Sequence, residues 1–102
     1  MDVLKMMKQA MHMKSSMKQV QVKLAQKTVT VDKNGICVTF SGDLKKADVA
    51  ITPDAHKQGA AAVSSIVSSN VKEALHEAKK ESAEEFKKAF GGIDLDGLSD
   101  LL

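Results

Sequence analysis

Apolar residues return every three or four positions through the first two dozen residues: Val3, Met6, Ala10, Met13, Met17, Val20 and Leu24. This spacing lays a narrow seam along one side of a helix, the pattern by which two helices meet. It predicts a helix over residues 3–27, about 37 Å long at about 1.5 Å per residue. The stretch has neither Gly nor Pro and is rich in Met, Lys, Gln, Leu and Ala, all good helix formers. A second apolar stripe, Leu4, Met7 and Met11, lies on another side of the first three turns. Extra core contact, with the chain's own C-terminal helix or with a second protomer, is its expected role. An exposed, adaptable methionine surface is the alternative.

The period then changes from helical to alternating. Thr28-Val29-Thr30-Val31 and Ile36-Cys37-Val38-Thr39-Phe40 flank Asp32-Lys33-Asn34-Gly35. Asn-Gly tolerates the two positive φ angles of a type I′ turn, so it marks a hairpin tip. With that tip, Val31 faces Val38, Thr30 faces Thr39 and Val29 faces Phe40, and both strands turn their large side chains to one face. Ser41-Gly42-Asp43 makes the next turn. A third strand is expected over 45–51, with Ala47, Val49 and Ile51 on one face. Thr52 and Pro53 can cap and start a helical turn, which Gly59 interrupts. Val63, Ile66, Val67, Val71, Ala74, Leu75, Ala78, Phe86 and Phe90 then recur at helical spacing over 60–90. Ser82-Ala83-Glu84-Glu85 reads as a capping box that could break this helix; with no Gly or Pro nearby, a continuous helix is expected. Gly91-Gly92 stops it, and 91–102 forms an acidic tail with apolar residues interspersed. The prediction is a single α+β domain over 1–102: long helix, three-stranded antiparallel meander over 28–51, long helix.

Composition bears on how such a fold is completed. The 102 residues include no Trp, no Tyr and three Phe, so the core is thin for a monomer and pairing of two copies is the expected remedy. The net charge of +2 conceals a polarity along the chain. Residues 1–27 hold six Lys and one Asp, whereas 91–102 hold three Asp and no Lys. All cationic side chains besides the histidines are lysines. Lysine suits phosphate oxygens, while Arg is the usual bidentate reader of guanine. A polyanion held this way is gripped by its backbone with little sequence selectivity.

Catalytic chemistry finds no support. His12, His56 and His76 stand apart in sequence, so no metal ligand set is indicated. Ser64, Ser65, Ser68 and Ser69 lack a nucleophile elbow and read as small residues for close packing. Cys37, the one cysteine, reads as a half-buried strand residue and suits a reducing compartment. Neither a membrane span nor a signal peptide is visible, and a cytoplasmic location is expected. No enzyme activity, cofactor, metal, small-molecule substrate or membrane contact is expected.

In order along the chain, Met7-Lys8-Gln9-Ala10, Val38-Thr39-Phe40-Ser41-Gly42-Asp43, Ile51-Thr52-Pro53-Asp54, Ser69-Asn70-Val71-Lys72-Glu73-Ala74-Leu75, Ser82-Ala83-Glu84-Glu85, Gly91-Gly92 and Gly97-Leu98 resemble the segments of the YbaB/EbfC family of bacterial nucleoid-associated proteins. The stretch between Pro53 and Val63 is shorter than usual, and Asp96 stands where the family has Pro. The resemblance implies an intertwined homodimer whose helices project like tweezers and bind double-stranded DNA, with a nucleoid location. It assigns DNA contact to Lys5, Lys8, Lys14 and Lys18 on the first helix and to Lys79, Lys80, Lys87 and Lys88 on the last. From the residues alone, the last-helix lysines alternate with Glu77, Glu81, Glu84 and Glu85 and read as a self-neutralised face, with Glu84–Lys88 as an i,i+4 pair. The seam assigns Met6, Ala10, Met13, Met17 and Val20 to the dimer interface. The competing reading is a dimeric protein-binding or chaperone-like module that uses Leu4, Met7 and Met11.

Overall fold

Asp2 opens the first element: its carboxylate accepts the Leu4 N–H at 3.1 Å, an N-cap for helix α1, Val3–Gln26. In this computed structural model residues 2–90 are described; Met1 and residues 91–102, with the expected glycine stop and acidic tail, lie outside them. Strands β1 (Thr28–Lys33), β2 (Ile36–Ser41) and β3 (Ala47–Ile51) form one antiparallel sheet in sequence order. The hairpin register is the expected one, Val31 opposite Val38, Thr30 opposite Thr39 and Val29 opposite Phe40. Asn34 and Gly35 hold it with φ of 58° and 79°, as a type I′ turn requires. Thr52 caps the short helix α2, Pro53–His56, by accepting the Ala55 N–H at 3.2 Å. Gly59, at φ 96°, then lets the chain turn into α3, Ala60–Ala89. Helix α3 runs without a break past Ser82.

The core lies between α3 and the face of β1 and β2 that carries Val29, Val31, Ile36 and Val38. Ala74 and Ala78, one turn apart on α3, are fully buried, so their methyls let the helix sit close to the strands. Val63, Ile66, Val67, Val71 and Phe40 flank them. Each fully buried Val or Ile side chain here contributes about 1.5–3 kcal/mol.

A polar residue locks this core. Asn70 is buried on α3, and its Nδ2 donates to the carbonyls of Ile36 at 2.8 Å and Lys33 at 3.1 Å. It thus satisfies two backbone acceptors at the base of the hairpin turn. Asn70→Ala leaves both carbonyls without this donor, and a loss of about 1–3 kcal/mol is expected. Urea unfolding of the two proteins checks it: a midpoint unchanged by the substitution would show that solvent replaces the amide without cost.

Helix α3 runs antiparallel to α1. Asn70 sits beside the hairpin turn, Glu81 and Glu85 beside Lys27, and Ala89 lines a cleft with Ser16 and Gln19. Val20 and Leu24 are buried in this helix pair. Val20, assigned from the seam to a dimer interface, is thereby covered within its own chain. The end of α1 rests on Gly42, whose N–H donates to the Lys27 carbonyl at 3.0 Å. A Cβ at Gly42 would lie 2.7 Å from the Leu24 carbonyl oxygen, so only glycine permits this approach.

Two expectations are corrected. Leu4, Met7 and Met11 add no core contact among the described residues: they are 68%, 57% and 70% exposed. They lie on the side of α1 turned away from the seam that α3 covers, and they also lie beyond the end of α3. Helix α3 ends at the level of Ser16, and α1 continues for more than three further turns beyond it, giving principal extents of 67 × 23 × 16 Å. The third strand also starts later than expected, at Ala47, because Leu44 takes a left-handed conformation (φ 62°) and prolongs the turn.

Candidate nucleic-acid interface

The projecting half of α1 carries Lys5, Lys8 and Lys14, with Lys18 at its base, and all four are exposed. At about 100° per residue they fall within one half of the helix circumference, and the seam occupies the other half. Leu4, Met7 and Met11 run down the middle of the lysine half. No carboxylate of the described residues lies within 4.0 Å of these four ammonium groups. Among the described residues, the arm therefore carries positive charge with no paired carboxylate, on a rod held at one end.

Lysines of both helices meet at the base of the arm. Lys18 on α1 and Lys79 on α3 line one open groove of about 830 Å³ together with Lys45 from the β2–β3 turn. Lys45 was not singled out from sequence; the turn that carries it is built by local hydrogen bonds. Ser41 Oγ donates to Asp43 Oδ1 at 2.6 Å, and the Lys45 N–H donates to the same oxygen at 3.1 Å. Those two bonds hold the Asp43 carboxyl below its ordinary range. Of the last-helix candidates, Lys79, Lys80 and Lys87 are exposed and make no ion pair with a described residue. Lys88 sits 3.7 Å from Glu85, not in the expected pair with Glu84.

An ion cluster ties α3 to the residue at which α1 ends. Lys27 Nζ lies 2.9 Å from Glu81 Oε2 and 2.8 Å from Glu85 Oε1. Hydrogen bonding to Glu85 and then Glu81 holds the Lys27 ammonium well above its ordinary pKa. The Lys27 hydrogen bond, with the charges of Lys27, Lys88 and Lys23, holds the Glu85 carboxyl below its ordinary value of 4.5 despite desolvation. A depressed carboxyl pKa stabilises the fold above the unfolded value, and that contribution is lost as pH falls through the lower folded value. The raised Lys27 pKa acts at the other end: its contribution holds below 10.5 and is lost only above the raised value. Glu85→Gln is thus expected to lower stability at pH 7 and to reduce the further loss on acidification below pH 4.5. Urea midpoints at pH 7 and pH 3 test this; parallel acid losses in both proteins would remove Glu85 as a source of acid sensitivity.

The described residues contain no group of three His, Cys, Asp or Glu side chains able to hold a metal ion. No described helix is long and apolar enough to cross a membrane. Cys37 is a free, half-buried thiol on β2.

The fold is thus a small α+β scaffold that carries a lysine-covered helical arm. The chain belongs to the YbaB/EbfC DNA-binding family, which it matches over residues 1–93. The family is one of nucleoid-associated, DNA-binding proteins. Comparison with curated proteins and with solved structures returned no match.

Proposed function

We propose that this chain, as a single domain, forms a homodimer that binds duplex DNA in the nucleoid with little sequence selectivity. Lys5, Lys8, Lys14 and Lys18 contact phosphates, supplemented by Lys79, Lys80, Lys87 and Lys88, and the bound protein influences nucleoid organisation or gene expression. The observation that carries the reading is the exposed half-cylinder of lysine on the free half of α1, in a member of a DNA-binding family.

Two apolar surfaces support pairing. The upper seam of α1, with Met6, Ala10 and Met13, extends past α3 and is open, Met6 at 51% and Met13 at 46% exposure, and Met17 beside the end of α3 is still 39% exposed. On the sheet, Val49 and Ile51 lie opposite Val38 and Ile36, on the same face. Helix α3 buries Val38 and Ile36 completely but leaves Val49 and Ile51 at 45% and 44% exposure. A second copy covers both surfaces. Val20, already enclosed by its own chain, then supports the interface from beneath.

Titration of a short arbitrary duplex at several salt concentrations, with mass measured in parallel, tests the reading. Four to six neutralised phosphates per dimer give a log–log slope of binding constant against salt of about −4 to −5. An affinity indifferent to salt would remove phosphate contact as its main source. The exposed Leu4, Met7 and Met11 support a second reading, a protein-binding module. Duplex binding that survives reversal of the four α1 lysines would favour it.

A further inference from the structure

We propose that the groove enclosed by α1, α3 and the β2–β3 turn is a docking site for a short acidic protein segment that carries one or two large apolar side chains. The site stands on the observations below and not on the DNA reading, although Lys18 and Lys79 serve both.

The groove has three walls and a lysine on each: Lys18 from α1, Lys79 from α3 and Lys45 from the turn. All three are exposed, and none pairs with a carboxylate of the described residues. Asp43 is the one acidic lining residue, and its Oδ1 already accepts the Ser41 hydroxyl and the Lys45 N–H. The rim is therefore cationic, whereas the interior is apolar. Val22 and Ala25 line it from α1, Ala78 and Ala83 from α3, and Leu44 from the turn. Val22 and Leu44 remain 52% and 43% exposed.

Leu44 is the more telling of the two. With Asn34 of the hairpin tip, it is one of two described non-glycine residues with positive φ. Asn tolerates that region through its short polar side chain; Leu does not, so the turn carries backbone strain. The strained conformation does not hide the side chain, which stays nearly half exposed at the groove. A strained backbone that holds an uncovered leucine near an uncovered valine suits a surface that a partner covers.

Charge and polarity together select the occupant. Three lysines call for carboxylates on the incoming segment, and the apolar interior calls for aliphatic or aromatic anchors between them. Duplex DNA meets the first demand, but its charged backbone leaves Val22 and Leu44 without an apolar cover. A twofold pairing of copies across the groove sets each lysine cluster against its equal, because the same patch faces itself in such an interface. From Lys18 to Ala25 the α1 wall runs about 10 Å. That is room for about three extended residues, so the segment is short.

A fluorescent peptide of two adjacent leucines, flanked on each side by three glutamates, tests the site on the full chain. Saturable binding that weakens with salt is expected, with shifts of the Val22 and Leu44 methyl signals and none at Val31 or Ile36. The same peptide with serines for leucines is expected to bind at least about tenfold more weakly. Equal binding of the two peptides, or shifts at Leu4, Met7 and Met11 instead, overturns the proposal. Leu44→Gly suits the left-handed backbone. It is expected to unfold at the same or a higher urea concentration while binding the leucine peptide about five- to tenfold more weakly. A lower urea midpoint makes Leu44 a packing residue, and undiminished binding makes it a bystander; either result overturns its role. Val22→Ser with Leu44→Gly is expected to leave solution mass unchanged and affinity for a short duplex within about twofold. A halved mass turns the groove into an interface between copies, and an equal loss of duplex affinity turns it into a DNA contact; both overturn the proposal. Should the leucine peptide bind while no duplex does at low salt, the groove stands and the DNA reading fails. Duplex binding without peptide binding overturns the groove alone.

Discussion

Replacing Lys5, Lys8, Lys14 and Lys18 together by Glu is expected to weaken duplex binding at least about 100-fold near 0.1 M salt, through lost phosphate contacts. The fold is expected to be untouched, because all four side chains are exposed and none pairs with a described carboxylate. Each substitution removes a cation and adds an anion, and in the proposed homodimer the change at one duplex is doubled. The groups stand on a rod held at its base by Gly42, Lys27 and the Val20–Leu24 contact, and Lys45 and Lys79 stand beside Lys18 at that base rather than along the free half. Mobility shift and anisotropy measure the loss, while circular dichroism and solution mass report fold and pairing. Retained binding with intact mass would place the DNA contact elsewhere. Reversing Lys79, Lys80, Lys87 and Lys88 instead is expected to cost less, since Lys88 already faces Glu85.

Val49→Asp with Ile51→Asp is expected to yield a folded chain with the mass of one copy, 10.9 kDa. In the isolated chain these two side chains are nearly half exposed, so charging them costs the protomer little. Across an interface the same carboxylates would be buried without partners, a cost of several kcal/mol per group. Loss of pairing also separates the two arms, and the gain from binding one duplex at two points disappears; that gain is about 100-fold or more for well-placed sites. Sedimentation across a range of concentrations, with circular dichroism alongside, checks the result. A variant that keeps twice the chain mass would move the interface wholly to the α1 seam, where Met6→Asp with Met13→Asp becomes the deciding substitution.

Local chemistry made most elements legible. The 24 residues of α1 follow from an unbroken helical period and the absence of Gly and Pro. The hairpin register follows from Asn34-Gly35 and from alternation on both strands, because a slip of one residue would turn every valine to the wrong face. The cationic character of the first helix is also a property of composition alone. These features depend on neighbours within a few residues, so reading along the chain reaches them.

What required the folded chain is long-range length matching and contact. Helix α3 stops opposite Ser16, which divides one continuous seam into a part enclosed at Val20 and Leu24 and a part left open at Met6 and Met13. Leu4, Met7 and Met11 lack the core contact expected of them because they lie on the side of α1 away from the seam that α3 covers, and beyond its end. The core role of Asn70 arises only when the hairpin brings two carbonyls to its amide, 34 and 37 residues away. Lys45 joins Lys18 and Lys79 because a positive φ at Leu44 carries the turn toward the helix pair. Periodicity shows which side of an element is apolar; it carries no information on where the covering element ends, and that endpoint sets which lysines stand free.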